Sequence, residues 1–228
     1  MNLLAIDCAS HLCAACVYDT QARVELGRAV EDIGKGHAER LMAVIGEALA
    51  AAGASYRDLG AVAVSVGPGS FTGIRVGVSA ARGLALALGI PSIGVTTLEA
   101  IAAQSRDSIG ARPILVALTS GPENVQAAVY DEFGRTLYDP ALMTLREAAL
   151  IAGDTGAALA GTAAEAVAAL VAGREMDFGP LDSTADIGWY ARLAAAAGPA
   201  GQRPRPLYLR EPDAKPQAGF ILPRREGA

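Results

Sequence analysis

The stretch SVGPGSFTGIRVGVSAARG, Ser65 to Gly83, carries a hydrophobic strand pattern through a glycine-rich turn into a helical one. A joint of this kind serves as a phosphate cradle, a nucleophile turn or a surface for close packing. A P-loop needs a second glycine five residues after the first, followed by Lys, but Thr72 stands five past Gly67 and no Lys follows. A dinucleotide fingerprint starting at Gly67 also meets Thr72 where its third glycine belongs. The nucleophile elbow around Ser70 fails at Pro68 and Thr72, where it requires glycines. What remains is a helix start: Ser70 is placed to cap free amides and the glycines let the chain turn sharply. A helix N-terminus also attracts anions, so Gly67, Gly69 and Ser70, together with Asp7, form a candidate anion or nucleotide site. Within the helix, Gly73, Gly77 and Ala81 recur every four residues, with Ala80, Gly83 and Ala87 beside them. That bare face suits close packing on the chain's own sheet or a subunit interface, offsetting the roughly 1 kcal/mol that each helical glycine costs. Arg75 and Arg82 share one stripe of this helix, facing solvent or a partner.

Along the chain, residues 2–7, 13–19 and 23–30 read as a meander of three strands, followed by a helix carrying Leu41, Val44, Ile45, Ala48 and Leu49 at helical spacing. A strand at 61–66, the helix from Ser70 to Leu88, the strand IPSIGV and the helix TLEAIAAQS complete the order βββαβαβα. The pattern restarts with strands after Arg112, so the chain divides into a first lobe, residues 1–106, and a second, 107–228, ending in a proline-punctuated tail. Two lobes that both open with strands suggest an ancient duplication. In the tail PLYLR could form a further strand, and its basic residues Arg203, Arg205, Arg210 and Lys215 face solvent, RNA or a partner.

The 228 residues, 52% hydrophobic with a net charge of −5, give two lobes enough core. A stand-alone nucleic-acid binder carries a basic surplus, and here the sign is opposite. The start MNLLAIDCASHLCA lacks a basic leader and no apolar run approaches the roughly 20 residues of a membrane span. Together with three clustered cysteines, Cys8, Cys13 and Cys16, this points to a reducing cytoplasm and no structural disulfide. Cys13 and Cys16, three apart on one strand, face opposite sides. His11 and His37, far apart, supply no zinc motif, which excludes a metal site of that type and leaves a metalloprotease reading without support. His37 opens the first helix as a surface residue, and Trp189 and Tyr190 anchor an alanine-rich helix. Asp7, at the end of the first strand, is placed equally well for active-site chemistry and for capping the amides of its turn.

LLAIDCAS, GHAERL, GPGSFTGIRVGVSAARGLALALGIPSIGVTTLEAIA and PLYLREPDAKP together resemble the TsaB (YeaZ) family of bacterial tRNA threonylcarbamoyladenosine biosynthesis proteins. The resemblance runs through the first lobe and returns in the tail. It implies an α/β, two-lobed actin- and hexokinase-like fold (ASKHA, ribonuclease H-like), with mixed sheets flanked by helices. It is also similar to the catalytic TsaD subunit, which binds metal through a histidine pair, but Thr97 and Ile101 stand here where that pair falls. The resemblance therefore implies a non-catalytic cytoplasmic subunit, without cofactor or metal, that pairs with a TsaD-like catalytic subunit and a TsaE-like ATPase or forms a homodimer. It touches tRNA only through that complex. The pairing helices correspond to residues 37–52 and 70–88, which nominates Leu41, Ile45, Leu49, Gly73, Arg75, Gly77 and Ala81 as the partner face. Where many members carry a charged Asp-Ala-Arg-Arg run, this chain has Thr119, Ser120 and Gly121. The alternative is an actin-fold ATPase or phosphotransferase, with Asp7 handling metal-bound phosphate and the Gly67 to Thr72 turn holding anions.

Overall fold

The computed structural model describes residues 1–173 and 175–209. Arg210 and Lys215 of the basic tail lie outside them, as does the end of the PLYLR segment.

The first sheet is built from β1 (Asn2–Asp7), β2 (Leu12–Asp19), β3 (Val24–Asp32), β4 (Leu59–Ser65) and β5 (Ser92–Val95), in the spatial order β3-β2-β1-β4-β5. The meander is antiparallel, and β4 and β5 add to β1 in parallel after helical crossovers. Because β1 is central and covered on both faces, Leu3, Leu4, Ala5 and Ile6 are all buried, a continuous apolar run. Helices α1 (His37–Ala51) and α2 (Phe71–Leu88) cover one face, burying Leu41, Ile45, Ile74 and Val78 against Leu4, Ile6, Val17 and Val64. By length and composition the 18 residues of α2 could cross a membrane, yet one side of the helix is buried on this sheet.

The second sheet repeats the plan with β6 (Ile114–Thr119), β7 (Asn124–Tyr130), β8 (Thr136–Thr144) and β9 (Ala158–Ala160), in the order β8-β7-β6-β9. Again the first strand is central, two antiparallel neighbours run outward from it on one side and a parallel strand joins on the other. The two sheets thus share one strand order over four strands. Helices α4 (Leu145–Thr155) and α5 (Ala164–Ala168) cover its outer face.

The helices do not respect the boundary at residue 106. Helix α3 (Thr97–Ile109), from the first half, packs its Leu98, Ile101 and Ala102 on the second sheet, mainly against β6. Helix α6 (Ile187–Ala197), from the second half, packs Tyr190, Ala191 and Ala194 on the inner face of the first sheet. Arg28 of β3 holds the start of α6 through Asp186 (2.7 Å), which also caps the helix at Gly188. Trp189 is partly buried beside Tyr190, as an anchor should be, with Arg192 stacked 4.6 Å from its ring. After α6 the chain returns to the first lobe, where the Gly94 amide donates to Gln202 and the Leu207 amide to Val66. Residues 206–209 run along that edge but form no strand.

Candidate functional site

At the joint, Gly67 takes a left-handed φ of 95° and the chain then folds onto the β1–β2 turn. The Ser70 amide donates to the Ala9 carbonyl at 2.7 Å, and the Ser70 hydroxyl accepts from the Gly73 amide at 3.2 Å. A Cβ on Gly69 would lie 2.1 Å from the Ala9 oxygen, and one on Gly73 2.0 Å from the Cys8 oxygen. These glycines exist so that two stretches of backbone can touch. The cap expected at Ser70 is present and takes the Gly73 amide, and the Ala9 carbonyl takes that of Ser70, so two of the amides that an anion would need are already used.

Between the lobes lies a cleft of about 810 Å³. Ser10, His11, Gly69 and Ser70 line it from the first lobe, Thr119, Ser120, Gly121 and Thr162 from the second, and Leu207 and Tyr208 from the returning chain. Its polar side chains are mostly hydroxyls, and no Asp, Glu, Lys or Arg lines it among the described residues. The four residues grouped as an anion or nucleotide site are thus separated. Gly69 and Ser70 reach the cleft, whereas Gly67 and Asp7 are buried behind it.

Asp7 is 1% exposed. Its carboxylate accepts from the Ala9 amide (2.8 Å) and from the Thr184 hydroxyl (2.6 Å), and Thr184 shares a further hydrogen bond with the Tyr190 hydroxyl. Asp7 therefore does cap its turn with one oxygen, and Thr184 takes the other. Burial pushes the Asp7 carboxyl above its ordinary value, opposed by these hydrogen bonds. Below the unfolded value near 3.8 both states hold the proton and the burial is free of charge cost. As pH climbs from there to the raised folded value, only the unfolded chain releases its proton, so stability falls, and it stays lower above. Asp7→Asn keeps an acceptor for Ala9 and offers a donor to Thr184 without the charge. Its melting temperature should exceed that of the wild type at pH 7, with the gap shrinking toward pH 4. A gap independent of pH would show that the carboxyl does not cause it.

The expected partner face needs a correction. Leu41, Ile45, Leu49, Gly73, Gly77 and Ala81 are all buried in the first lobe. A Cβ on Gly77 would touch Val64 and Cys8 at 3.4 and 3.6 Å, so the bare stripe of α2 receives the chain's own sheet and not another helix. The physical reason is general: a helix beside an uncovered sheet first buries its most apolar stripe there. Arg75 alone of the seven is exposed. It lies over the Phe71 ring (3.6 Å) and donates from Nε to the Tyr208 hydroxyl (2.8 Å).

The opposite faces carry what periodicity missed. On α1, Met42, Ala43 and Ala50 are exposed around a half-buried Gly46; on α2, Ser79 and Gly83 are exposed between half-buried Val76 and Ala80. Among the described residues, added Cβ atoms on Gly46 and Gly83 meet nothing within 4 Å. Two packed helices thus present a second, outward surface of small residues, legible in the sequence once the inward stripe is assigned. His37 also departs from expectation. It is buried, with its Nε2 3.1 Å from the Leu12 carbonyl, and ties the start of α1 to β2. Cys13 and Cys16 fall in separate cores on opposite faces of β2, as their spacing requires, and all three thiols are buried and free.

Comparison with known proteins places this geometry. The family model for TsaD, tRNA N6-adenosine threonylcarbamoyltransferase, matches residues 27–178. The Escherichia coli (strain K12) tRNA threonylcarbamoyladenosine biosynthesis protein TsaB is 35% identical over 139 residues, 59% of this chain. That match spans 58% of the Escherichia coli protein's own length. An uncharacterized protein of Mycobacterium tuberculosis H37Rv is 36% identical over 217 residues, 95% of each chain. A crystal structure from Pseudomonas aeruginosa, described as an uncharacterized protein with similarity to peptidase YEAZ, superposes with a TM-score of 0.76 at 25% identity. It covers 92% of this chain and 99% of that one. With its mixed sheets and helical layers on the actin- and hexokinase-like plan, the chain belongs to the TsaB (YeaZ) family.

Proposed function

We propose that this protein is a partner-binding subunit of the machinery that makes threonylcarbamoyladenosine in tRNA. It pairs with a TsaD-like catalytic subunit and, in the same assembly, a TsaE-like ATPase, with a homodimer as the state that competes for the same face. The observation that carries this reading is the outward face of α1 and α2, where Gly46, Gly83 and their small neighbours leave room for another pair of helices to approach closely. The name of the Escherichia coli relative supports the pathway. The transfer chemistry belongs to the partner, and the subunit works in the cytoplasm where tRNA is modified.

The ATPase or phosphotransferase alternative loses its acid, since Asp7 is buried, bonded to Thr184 and outside the cleft lining, and the cleft offers no other carboxylate among the described residues. Deleting the gene and digesting total tRNA for mass spectrometry should show loss of N6-threonylcarbamoyladenosine. Complementation by the wild type and by Asp7→Asn should restore it equally. An unchanged nucleoside level in the deletion overturns the pathway reading. Restoration by the wild type but not by a folded Asp7→Asn variant favours the enzyme.

A further inference from the structure

A second groove, of about 1040 Å³, runs between the C-terminal part of α2 and residues 199–205. Arg82, Arg203 and Arg205 line it together, and none of its lining residues among those described is acidic. The arginines are preorganised by the backbone. Pro204 is buried against Gly94 while its neighbours are exposed, so the extended chain turns Arg203 and Arg205 to the same side. The Gly94–Gln202 and Leu207–Val66 hydrogen bonds pin this segment at both ends. Arg82 faces it from α2. Among the described residues none of the three lies within ion-pair distance of a carboxylate. The surroundings match: α2 contains no acid, and neither does the chain between Asp186 and Glu211. Two turns before Arg82, about 10 Å along the helix, Arg75 lies over the ring of exposed Phe71 and beside that of exposed Tyr208, and the two tilted rings are 5.2 Å apart.

Four arginines and two exposed aromatic rings thus follow one flank of α2 on a protein whose net charge is −5. Arginine forks match phosphate oxygens, and exposed rings stack on unpaired bases. The flank adjoins the outward face given to the partner at Gly83, but its basic and aromatic side chains, Phe71, Arg75 and Arg82, lie on the side of the returning chain. We propose that this flank binds the phosphodiester backbone of RNA, with the Phe71–Arg75–Tyr208 cluster stacking on an unpaired base. The choice of RNA over another polyanion rests on the tRNA reading above. The subunit then holds tRNA directly, and not only through its partner.

Fluorescence anisotropy with an unmodified tRNA transcript, titrated at several salt concentrations, tests this with the full chain and with its complex with the TsaD-like subunit. The combined substitution Arg82→Ala, Arg203→Ala and Arg205→Ala should weaken binding at least tenfold near 0.1 M salt. It should also lower the slope of log affinity against log salt by about 2 to 3, roughly one phosphate contact per arginine. Tyr208→Ala should weaken binding to a single-stranded loop at least fivefold, in line with the roughly 1–3 kcal/mol that one stacked base is worth. A control, Arg57→Ala with Arg146→Ala, removes exposed charge elsewhere and should change affinity less than twofold. Equal loss in the control, or no effect of the triple variant in either the chain or the complex, overturns the proposal. So does a triple variant that loses its protein partner while RNA binding is unchanged. In each of these cases the subunit reading stands if the nucleoside is still lost on deletion.

Discussion

Gly46→Leu is expected to abolish pairing with the TsaD-like subunit, weakening it at least a hundredfold, while the isolated protein melts within about 2 °C of the wild type or slightly above. Gly46 lies in the interior of α1, and an added Cβ there meets no described atom within 4 Å. The monomer therefore has nothing to clash with, and replacing a helical glycine removes a cost of roughly 0.5–1 kcal/mol. In a complex the same leucine holds two helices apart where small residues had let them touch, and every contact across that seam loses distance at once. Gly83→Leu should behave alike on α2, although Gly83 also borders the arginine groove, which makes Gly46 the cleaner probe. Gly77→Leu, the substitution that the sequence alone recommends, cannot serve, because Val64 and Cys8 already fill its space and loss of pairing would follow from loss of fold. Size-exclusion chromatography with the partner, beside thermal melts of the variant alone, reads both quantities. A folded Gly46→Leu protein that still pairs would remove the outward face as the interface.

The second large effect concerns the joint itself. Gly73→Ala should destabilise the protein by about 3 kcal/mol, the upper range for an overpacked interior, which for a chain of this size lowers the melting temperature by roughly 6–12 °C. The new methyl would sit 2.0 Å from the Cys8 carbonyl oxygen, a backbone atom with no freedom to swing aside. Gly153→Ala on α4 is the control, since Gly153 is an exposed helical glycine in the last turn with no described atom within 4 Å of an added Cβ and should gain up to roughly 0.5–1 kcal/mol. Chemical denaturation of the two variants decides the matter. Equal stability of both would mean that the close approach of α2 to the β1–β2 turn is not what Gly73 provides.

Much of this fold could be read from local pattern. The meander, the αβα run after it and the Ser70 cap depend on residues within a few positions of one another, where periodicity and capping chemistry speak directly. The candidate site was harder, because its deciding contacts are remote in sequence. Asp7 is covered by Thr184, 177 residues away, and nothing near Asp7 announces that. His37 reads as a surface cap until Leu12 is brought beside it. The bare stripe on α2 was visible, but its direction was not. A helix with two small-residue stripes leaves the choice to whichever neighbour arrives first, and here β1 and β4 take Gly77 while Gly83 is left outside. The arginine groove needs α2 and the returning chain side by side, residues more than a hundred positions apart.

The helix exchange between the lobes has a consequence for how the chain is made. On the ribosome the first sheet emerges complete by residue 95, with α1 and α2 ready to seal its outer face. Its inner face, with Leu3, Ala5, Cys16 and Ala63, stays uncovered until α6 is synthesised at residues 187–197. Translation therefore carries an exposed apolar sheet for about ninety residues, several seconds or more at cellular elongation rates. The lobe that begins first is finished last, and the protein is born as one folding unit even though its two halves repeat a single design.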